Sequence, residues 1–358
     1  MPVSRVLVVF GGRSHEHSIS CLSAATVVSA LIEAGHDVVS VGITRDGRWT
    51  RSAVPVAVNG ALPSVTNGDT AALVALRDGV SVVTFTSDDT TIASTEPVDV
   101  VFPVLHGAGG EDGSIQGLCE TLGVAYVGAD IAASARGVDK IAMKQQFAAA
   151  GLPQVPFVPL TAATFAADPA GELARIQTQL HTPWFVKPAC EGSSFGITRV
   201  TDDAELDAAI RYAFTFGEKV IVEQGLVGAR ELEVGVIGHD TVTVTRPGEI
   251  VSAHTFYDFD AKYVTTSTLN IPAEIDPATT HALQVLARRA YHAIGCRGLA
   301  RIDFFYYDGA LLVNEINTIP GFTAHSMFPL LWAYEGEPFT HIVHRLITDA
   351  LETSEKKS

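Results

Sequence analysis

Arg301-Ile302-Asp303-Phe304-Phe305-Tyr306-Tyr307-Asp308-Gly309-Ala310-Leu311-Leu312-Val313-Asn314-Glu315-Ile316-Asn317 is the stretch on which the reading of this chain turns. Two runs rich in aromatic and branched residues flank Asp308-Gly309, a turn signal that predicts a β-hairpin. With a loop running from Tyr307 to Gly309, Tyr306 pairs with Ala310 and Arg301 lies opposite Glu315. Arg301, Asp303, Glu315 and Asn317 then share one face, and Ile302, Phe304, Leu312 and Ile316 the other. A loop one residue shorter slips the register and separates Asp303 from Glu315, so the segregation of polar from apolar residues favours the odd loop. Two carboxylates and an amide beside an arginine suit Mg²⁺, a hard ion that takes few protein oxygens and completes its octahedron with phosphate and water. A salt-bridged strand face without a ligand carries the same residues, and the hairpin alone leaves both readings open.

Working back along the chain, Phe185-Val186-Lys187-Pro188-Ala189-Cys190-Glu191-Gly192-Ser193-Ser194-Phe195-Gly196 is a short strand that delivers a lysine into a loop of small residues. Backbone N–H groups in such a loop converge on anionic oxygens, and the lysine adds a point charge. The G-x-x-x-x-G-K-[ST] pattern is absent, and an ordinary Ser/Gly turn is the competing reading. Further back, Arg5 to Phe10 reads as a buried strand, Gly11-Gly12 as a turn and Ser20 to Ala34 as a helix closed by Gly35. Asp37 to Ile43 and Asp99 to Leu105 read as further buried strands, while the weakly patterned residues 50–96 suit an insertion or small hairpins. In Gly107-Ala108-Gly109-Gly110-Glu111-Asp112-Gly113, Asp112 stands where a dinucleotide fingerprint needs its last glycine, which disfavours an NAD enzyme. Ser14-His15-Glu16-His17-Ser18 lacks H-E-x-x-H and a third ligand, which disfavours zinc. Glu16 is instead a lone carboxylate near a helix start, where a substrate ammonium could be held, with a solvated loop acid as the competing reading. Tyr257-Asp258-Phe259-Asp260-Ala261-Lys262-Tyr263 mixes aromatics and charges as a lid does, and a plain surface loop has the same composition, so both readings stand.

The second half has helices from Asp139 to Ala150, from Asp202 to about Phe214, and from Asp276-Pro277 to Gly295, with a strand from Lys219 to Glu223. Three domains are expected: 1–128 as an open α/β unit, 129–223, and 224–358 with the lid and metal site. The chain has 358 residues, 24 Lys and Arg against 40 Asp and Glu, a net charge of −16, and 47% apolar residues against 18% charged. Such a chain buries large cores, and its acidity argues against a general nucleic-acid or membrane-surface binder. Four scattered cysteines without C-x-x-C, and no long apolar run, fit a reducing cytoplasm.

Taken in order, these segments resemble the D-alanine–D-alanine ligases of the ATP-grasp superfamily from Val6 to about Leu351. The strings that carry the resemblance begin with Gly11-Gly12-Arg13-Ser14-His15-Glu16, His106-Gly107, Gly110-Glu111-Asp112-Gly113, Asp139-Lys140, Val186-Lys187-Pro188 and Glu191-Gly192-Ser193-Ser194. They continue with Glu223-Gln224-Gly225, Arg230-Glu231, Lys262-Tyr263, Arg301-Ile302-Asp303, Asn314-Glu315-Ile316-Asn317 and Pro320-Gly321-Phe322-Thr323. Gly137-Val138 and Phe259 depart from the family's usual Ser-Met and Tyr.

The resemblance implies an α/β, three-domain ATP-grasp architecture with an N-terminal pre-ATP-grasp domain. It also implies an enzyme for peptidoglycan synthesis in which ATP phosphorylates one D-alanine and the amine of a second attacks the acyl phosphate. By the same resemblance Lys140, Lys187, Glu191 and Ser194 meet the ATP phosphates, Glu223 and Leu226 border the adenine, and Glu231 holds the ribose. Asp303, Glu315 and Asn317 bind two Mg²⁺ or Mn²⁺, and Arg301 with the N–H of Gly321 stabilises the oxyanion. Glu16 takes the first alanine's ammonium in a set with Ser193 and Tyr263, His106 lies beside that alanine, and Lys262, Ser326 and Met327 line the second site. Lys262-Tyr263 favours an amine as the second nucleophile. A cytoplasmic homodimer with no nucleic-acid or membrane partner completes the expectation, with a D-Ala-D-Ser ligase and a silent nucleotide-binding regulator as the rivals.

Overall fold

The computed structural model describes residues 3–57, 61–239, 241–251 and 268–356. The lid residues 257–263, including Lys262 and Tyr263, therefore lie outside the described residues.

The first sheet is built from β1 (Arg5–Gly11), β2 (Asp37–Ile43), β3 (Trp49–Arg51), β4 (Asp69–Leu76), β5 (Gly79–Phe85), β6 (Ile92–Val98), β7 (Val100–Val104) and β8 (Ala125–Tyr126). Its order is β6-β5-β4-β3-β2-β1-β7-β8, with β1 parallel to both β2 and β7. A strand covered on both faces reads as a continuous apolar run, and Val6 to Phe10 are all fully buried. Alternation sends Val6, Val8 and Phe10 into one core and Leu7 and Val9 into another. The weakly patterned residues 50–96 prove to be the antiparallel half of this sheet. Its outer strand β6 is mostly exposed, and there Pro97 pairs with Ser81, while Glu96 is bridged by Arg51 at 2.8 Å.

The second sheet holds β9 (Phe157–Thr161), β10 (Trp184–Pro188), β11 (Thr198–Val200) and β12 (Lys219–Gln224), in the order β11-β10-β12-β9. The third holds β13 (Arg230–Gly238), β14 (Val242–Val244), β15 (Gly248–Val251), β16 (Thr268–Asn270), β17 (Gly298–Tyr307) and β18 (Ala310–Asn317).

The helices are α1 (His17–Glu33), α2 (Ser114–Leu122), α3 (Ile131–Val138), α4 (Lys140–Ala149), α5 (Ala162–Ala167), α6 (Pro169–Gln179), α7 (Leu206–Phe214), α8 (Pro277–Ala293), α9 (Met327–Tyr334) and α10 (Phe339–Glu355). The apolar stripe Ile342, Val343, Leu346, Ile347 and Ala350 carries α10 back onto the first sheet beside α1. Met143 and Phe147 of α4 pack with Ile302, Phe304, Val313 and Ile316 of the third sheet, while α7 covers the second.

Helix α1 starts at His17 rather than at Ser20. The polar-looking stretch His17 to Ser20 is buried because its side chains serve the strand ends: Ser20 accepts from the Gly11 N–H at 2.8 Å and donates to the Val104 carbonyl. The hairpin also differs from expectation. Tyr307 pairs with Ala310, so the turn is the pair Asp308-Gly309, with φ of +49° and +75°. That shorter loop does not part Asp303 from Glu315, because the register shifts after Asp303, leaving Asn314 as an extra residue between Val313 and Glu315. Asp303 stands directly opposite Glu315, and Arg301 opposite Asn317. The bulge also explains why Val313, not Leu312, joins Ile316 in the core, although the two lie an odd number of positions apart.

Candidate functional site

Three groups of side chains converge from the three sheets. The first hangs from the end of β1. Glu16 forms the N-cap position of α1 and accepts a hydrogen bond from Ser193 Oγ. Its carboxylate fits only because two neighbours lack side chains: a Cβ on Gly192 would sit 2.8 Å from Glu16 Oε2, and one on Gly107 would sit 3.1 Å from it. His15 stacks on Phe195 with ring centroids 4.9 Å apart, a second contact between this loop and residues 191–196. His17 turns the other way. Its Nδ1 donates to the Gly12 carbonyl at 2.6 Å, so Nε2 accepts from the Val65 N–H at 3.0 Å and from Ser64 Oγ at 3.1 Å. Both ring nitrogens are engaged, which suits a packing residue better than a zinc ligand.

His106, expected beside a substrate, is 5% exposed and bonded on both sides, to the Ile319 carbonyl at 3.1 Å and Ser23 Oγ at 3.1 Å. Ser23 also accepts from the Phe322 N–H, so this histidine ties the first sheet to the chain after β18. Burial lowers the His106 pKa, yet Glu111 and Glu16 outweigh it and the net shift is upward. Asp112, which breaks the dinucleotide pattern, accepts from the N–H groups of Gly109 and Ser114 at 2.8 and 2.9 Å and so fixes the turn into α2.

The second group lies on the second sheet and α4. In β10 and β12, Phe185 faces Glu223 and Lys187 faces Ile221, so Lys187 and Glu223 share a face one pair apart. Their side chains meet at 2.5 Å. Glu223 Oε1 is 2.9 Å from Nζ of Lys144, and both residues are buried. Burial alone pushes the Glu223 carboxyl up, but the two ammonium groups prevail and hold its pKa at about 2. Lys140, at the first turn of α4, donates from Nζ to the Glu191 carbonyl at 2.7 Å. Asp139 caps that helix through the N–H groups of Ile141 and Ala142 and also binds Lys219 at 2.7 Å. In the following loop Ser193 and Ser194 both take positive φ, +47° and +62°, an arrangement uncommon outside glycine that is held by its surroundings. Small residues, turned backbone and two lysines give this loop the chemistry that suits phosphate oxygens. Leu226 is half-buried just after β12, and Glu231 is half-buried on β13.

The third group is the polar face of β13, β17 and β18. Arg301 grips Asp303 through two hydrogen bonds of 2.7 and 2.8 Å and lies 2.9 Å from Glu233. Asn317 Nδ2 donates to Asp303 Oδ2 at 3.1 Å. Burial works against the charge on Arg301, but Asp303 and Glu233 raise its pKa well above the ordinary arginine value. Near this face a Cβ on Gly321 would meet Ser326 Oγ at 2.8 Å, and Ser326 Oγ accepts from the Thr323 N–H at 3.1 Å. Met327 is 5% exposed, its sulfur packed on Gly248.

The structure thus joins Glu16 to Ser193, Lys140 to Glu191, Lys187 to Glu223, and Arg301 to Asp303 and Asn317. Lys144 and Glu233 escaped the sequence reading. A lysine inside the buried stripe Met143, Lys144, Phe147 was the available signal for one; Glu233, two residues from Glu231 on the same strand face, was the signal for the other.

Nearly the whole chain resembles known proteins. A family model described as D-ala D-ala ligase N-terminus matches residues 5–129, and one described as D-ala D-ala ligase C-terminus matches residues 146–348. The chain is 40% identical to a D-alanine--D-alanine ligase of Geobacillus thermodenitrificans, covering 99% of this chain and 97% of the relative. It is 42% identical to one from Pseudarthrobacter chlorophenolicus, covering 98% and 94%. Among solved structures, the D-alanine-D-alanine ligase from Coxiella burnetii superposes with a TM-score of 0.83 at 28% identity, over 100% of this chain and 96% of that one. The VanG D-Ala:D-Ser ligase from Enterococcus faecalis gives 0.82 at 33%, over 98% and 100%.

Proposed function

Since this chain belongs to the D-alanine–D-alanine ligase family, we propose that its cleft joins two D-alanine molecules into D-alanyl-D-alanine with ATP, for peptidoglycan precursor synthesis. The observation that carries the reading at this site is the Ser193–Glu16 hydrogen bond. It joins a loop whose chemistry suits phosphate to a carboxylate suited to an ammonium, which supports a nucleotide phosphate held beside an amino acid.

In the first step a carboxylate oxygen of one D-alanine attacks the γ-phosphorus, and the bond from that phosphorus to ADP breaks. Lys140, Lys187 and the Glu191–Ser194 loop hold the phosphates in line, and Glu16 holds the alanine's ammonium, so that much of the barrier is met by positioning. Glu223 and Leu226 border the adenine, and Glu231 takes the ribose. In the second step the amine of another D-alanine attacks the acyl carbon, and phosphate leaves with the electrons of the broken C–O bond and takes up the proton that the nitrogen sheds. Arg301 and the Gly321 N–H face the oxygen that becomes negative, a type of donor worth about 3–4 kcal/mol. His106 lies beside the first alanine, Tyr263 joins Glu16 and Ser193 in the set that ties the lid to the cleft, and Ser326, Met327 and Lys262 border the second alanine.

Asp303, Glu315 and Asn317 would hold two Mg²⁺ or Mn²⁺, a reading supported by the strand register that sets Asp303 opposite Glu315 with Asn317 two positions on along the same face. Bound there, the ions neutralise charge on the transferring phosphoryl group. The chain divides into 1–128, 129–223 and 224–358, works in the cytoplasm and pairs as a homodimer through its N-terminal part. In support of a reducing compartment, Cys21, Cys119, Cys190 and Cys296 are all free thiols. No helix among the described residues is long and apolar enough to cross a membrane.

The test is release of ADP and phosphate by purified protein with Mg-ATP and D-alanine, with mass analysis of the product. L-alanine, D-lactate plus D-alanine and D-serine plus D-alanine serve as parallel arms, the last because of the likeness to a D-Ala:D-Ser ligase. D-alanine-dependent turnover giving the dipeptide supports the proposal. Silence in every arm with ATP still bound favours a regulator.

A further inference from the structure

The proposed reaction leaves one buried charge in the nucleotide cleft without a task. Lys144 is 1% exposed, lies between Met143 and Phe147 on the inner stripe of α4, and reaches Glu223 Oε1 at 2.9 Å. Its Nζ is 5.7 Å from the centre of the Phe157 ring, and Glu315 adds a more distant attraction. The other oxygen of Glu223 binds Lys187. One carboxylate therefore serves two ammonium groups that differ in freedom. Lys144 is enclosed on a helix, whereas Lys187 is 14% exposed and sits one residue before the end of β10, where the chain enters the phosphate loop.

If Lys187 is to reach a phosphate, it must let go of Glu223. Were Lys187 the sole counter-charge, its departure would strand an ionised carboxylate that is 3% exposed, which is costly, and the lysine would be held back. We propose that Lys144 is a positioning residue that keeps Glu223 ionised and in place, and so releases Lys187 to exchange Glu223 for the phosphates of the nucleotide. This rests on the nucleotide reading of Lys187 and Glu223 given above. It adds that the ion pair seen here is one end of an exchange, with Lys144 as its fixed partner.

Binding of the β,γ-imido analogue of ATP is measured by calorimetry on the full chain, together with KM for ATP, kcat and thermal stability. Lys144→Met is expected to raise both the analogue's Kd and KM for ATP at least about tenfold, the scale of breaking a buried ion pair, while kcat changes less than about threefold. Lys144→Arg restores most of the affinity. Glu223→Gln and the double variant Lys144→Met with Glu223→Gln are expected to bind alike, since without the carboxylate Lys144 has nothing to hold. A folded Lys144→Met with wild-type Kd and KM overturns the proposal. So does a double variant that binds much more weakly than Glu223→Gln alone, and this comparison decides the matter even if Lys144→Met fails to fold. Wild-type protein that does not bind the analogue sinks the nucleotide reading itself, which is a separate outcome.

Discussion

Replacing Gly192 by alanine isolates the placement of Glu16 from the stability of the fold. Gly192 does not need a left-handed backbone, so a methyl group there brings no conformational strain of its own. It would lie 2.8 Å from Glu16 Oε2, whereas ordinary van der Waals contact begins near 3.4 Å, so the carboxylate must retreat by about 0.6 Å. The atom that moves is the tip of a flexible side chain, and the folded state gives way cheaply. The hydrogen bond from Ser193, in contrast, is made by that same carboxylate. A hydrogen bond to a charged group contributes about 1.5–3 kcal/mol, equivalent to a factor of about 10–150 in rate at 1.4 kcal/mol per decade. A misplacement approaching 1 Å at a reacting centre has consequences of similar size. The expected result is a 10- to 150-fold fall in kcat/KM for D-alanine, measured by ADP release, with a melting temperature within a degree or two of the parent. Gly117→Ala is the matched control, because its methyl group would meet nothing closer than Ile131 Cδ1 at 3.9 Å. An unchanged kcat/KM in a folded Gly192→Ala protein would refute the role assigned to Glu16.

Glu223 titrates with a pKa near 2 in the folded state against an ordinary 4.5, so its stabilisation is present above about pH 4.5 and is lost as the pH falls toward 2. Glu223→Gln should flatten the acid limb of a plot of melting temperature against pH, and an acid limb identical to the parent's would contradict this. Asp276 caps α8 through the N–H groups of Ala278 and Thr279 at 2.9 and 3.0 Å. Asp276→Ala should cost about 1 kcal/mol in urea unfolding and leave kcat/KM intact, and a matching loss of activity would show that α8 is coupled to the cleft. Glu315→Gln should raise the Mg²⁺ concentration for half-maximal rate about tenfold or more without lowering the melting temperature; an unaltered Mg²⁺ profile would remove Glu315 from the metal site.

The polar face of the hairpin was legible because alternation in a strand is strict, and Arg301, Asp303, Glu315 and Asn317 do fall together. The route to it was not. A turn and a bulge each shift the register by one, and the two shifts combine to keep Asp303 and Glu315 on the same face while changing which residues are opposite. Composition does not reveal a bulge whose extra residue is an ordinary asparagine. Residues 50–96 were obscure for a related reason: β4 is half-exposed and β6 mostly exposed, so their apolar alternation is diluted. The start of α1 was hidden by serines whose partners are the ends of β1 and β7, contacts that exist only once the sheet has formed. The loop from Glu191 to Gly196 was legible as a motif, but its partners His15 and Glu16 lie far back in the sequence. Lys144 was passed over because lysine is rarely enclosed without a counter-ion, and Glu223, its partner, is 79 positions away.

The outer strand β6 bears on how this protein behaves in storage and at high concentration. An edge strand offers a row of unpaired N–H and C=O groups to any other chain that can lie alongside it. Here Pro97 removes one donor from that row, and Glu96, held by Arg51, adds a charge beside it. Exchanging Pro97 for valine would leave the cleft untouched while completing a seven-residue template with high strand propensity, Ile92 to Val98. The outcome to look for is concentration-dependent, thioflavin-positive precipitation from a preparation whose freshly purified molecules are fully active. Colloidal lifetime would then be governed at one margin of the first sheet, and turnover at the opposite ends of its central strands.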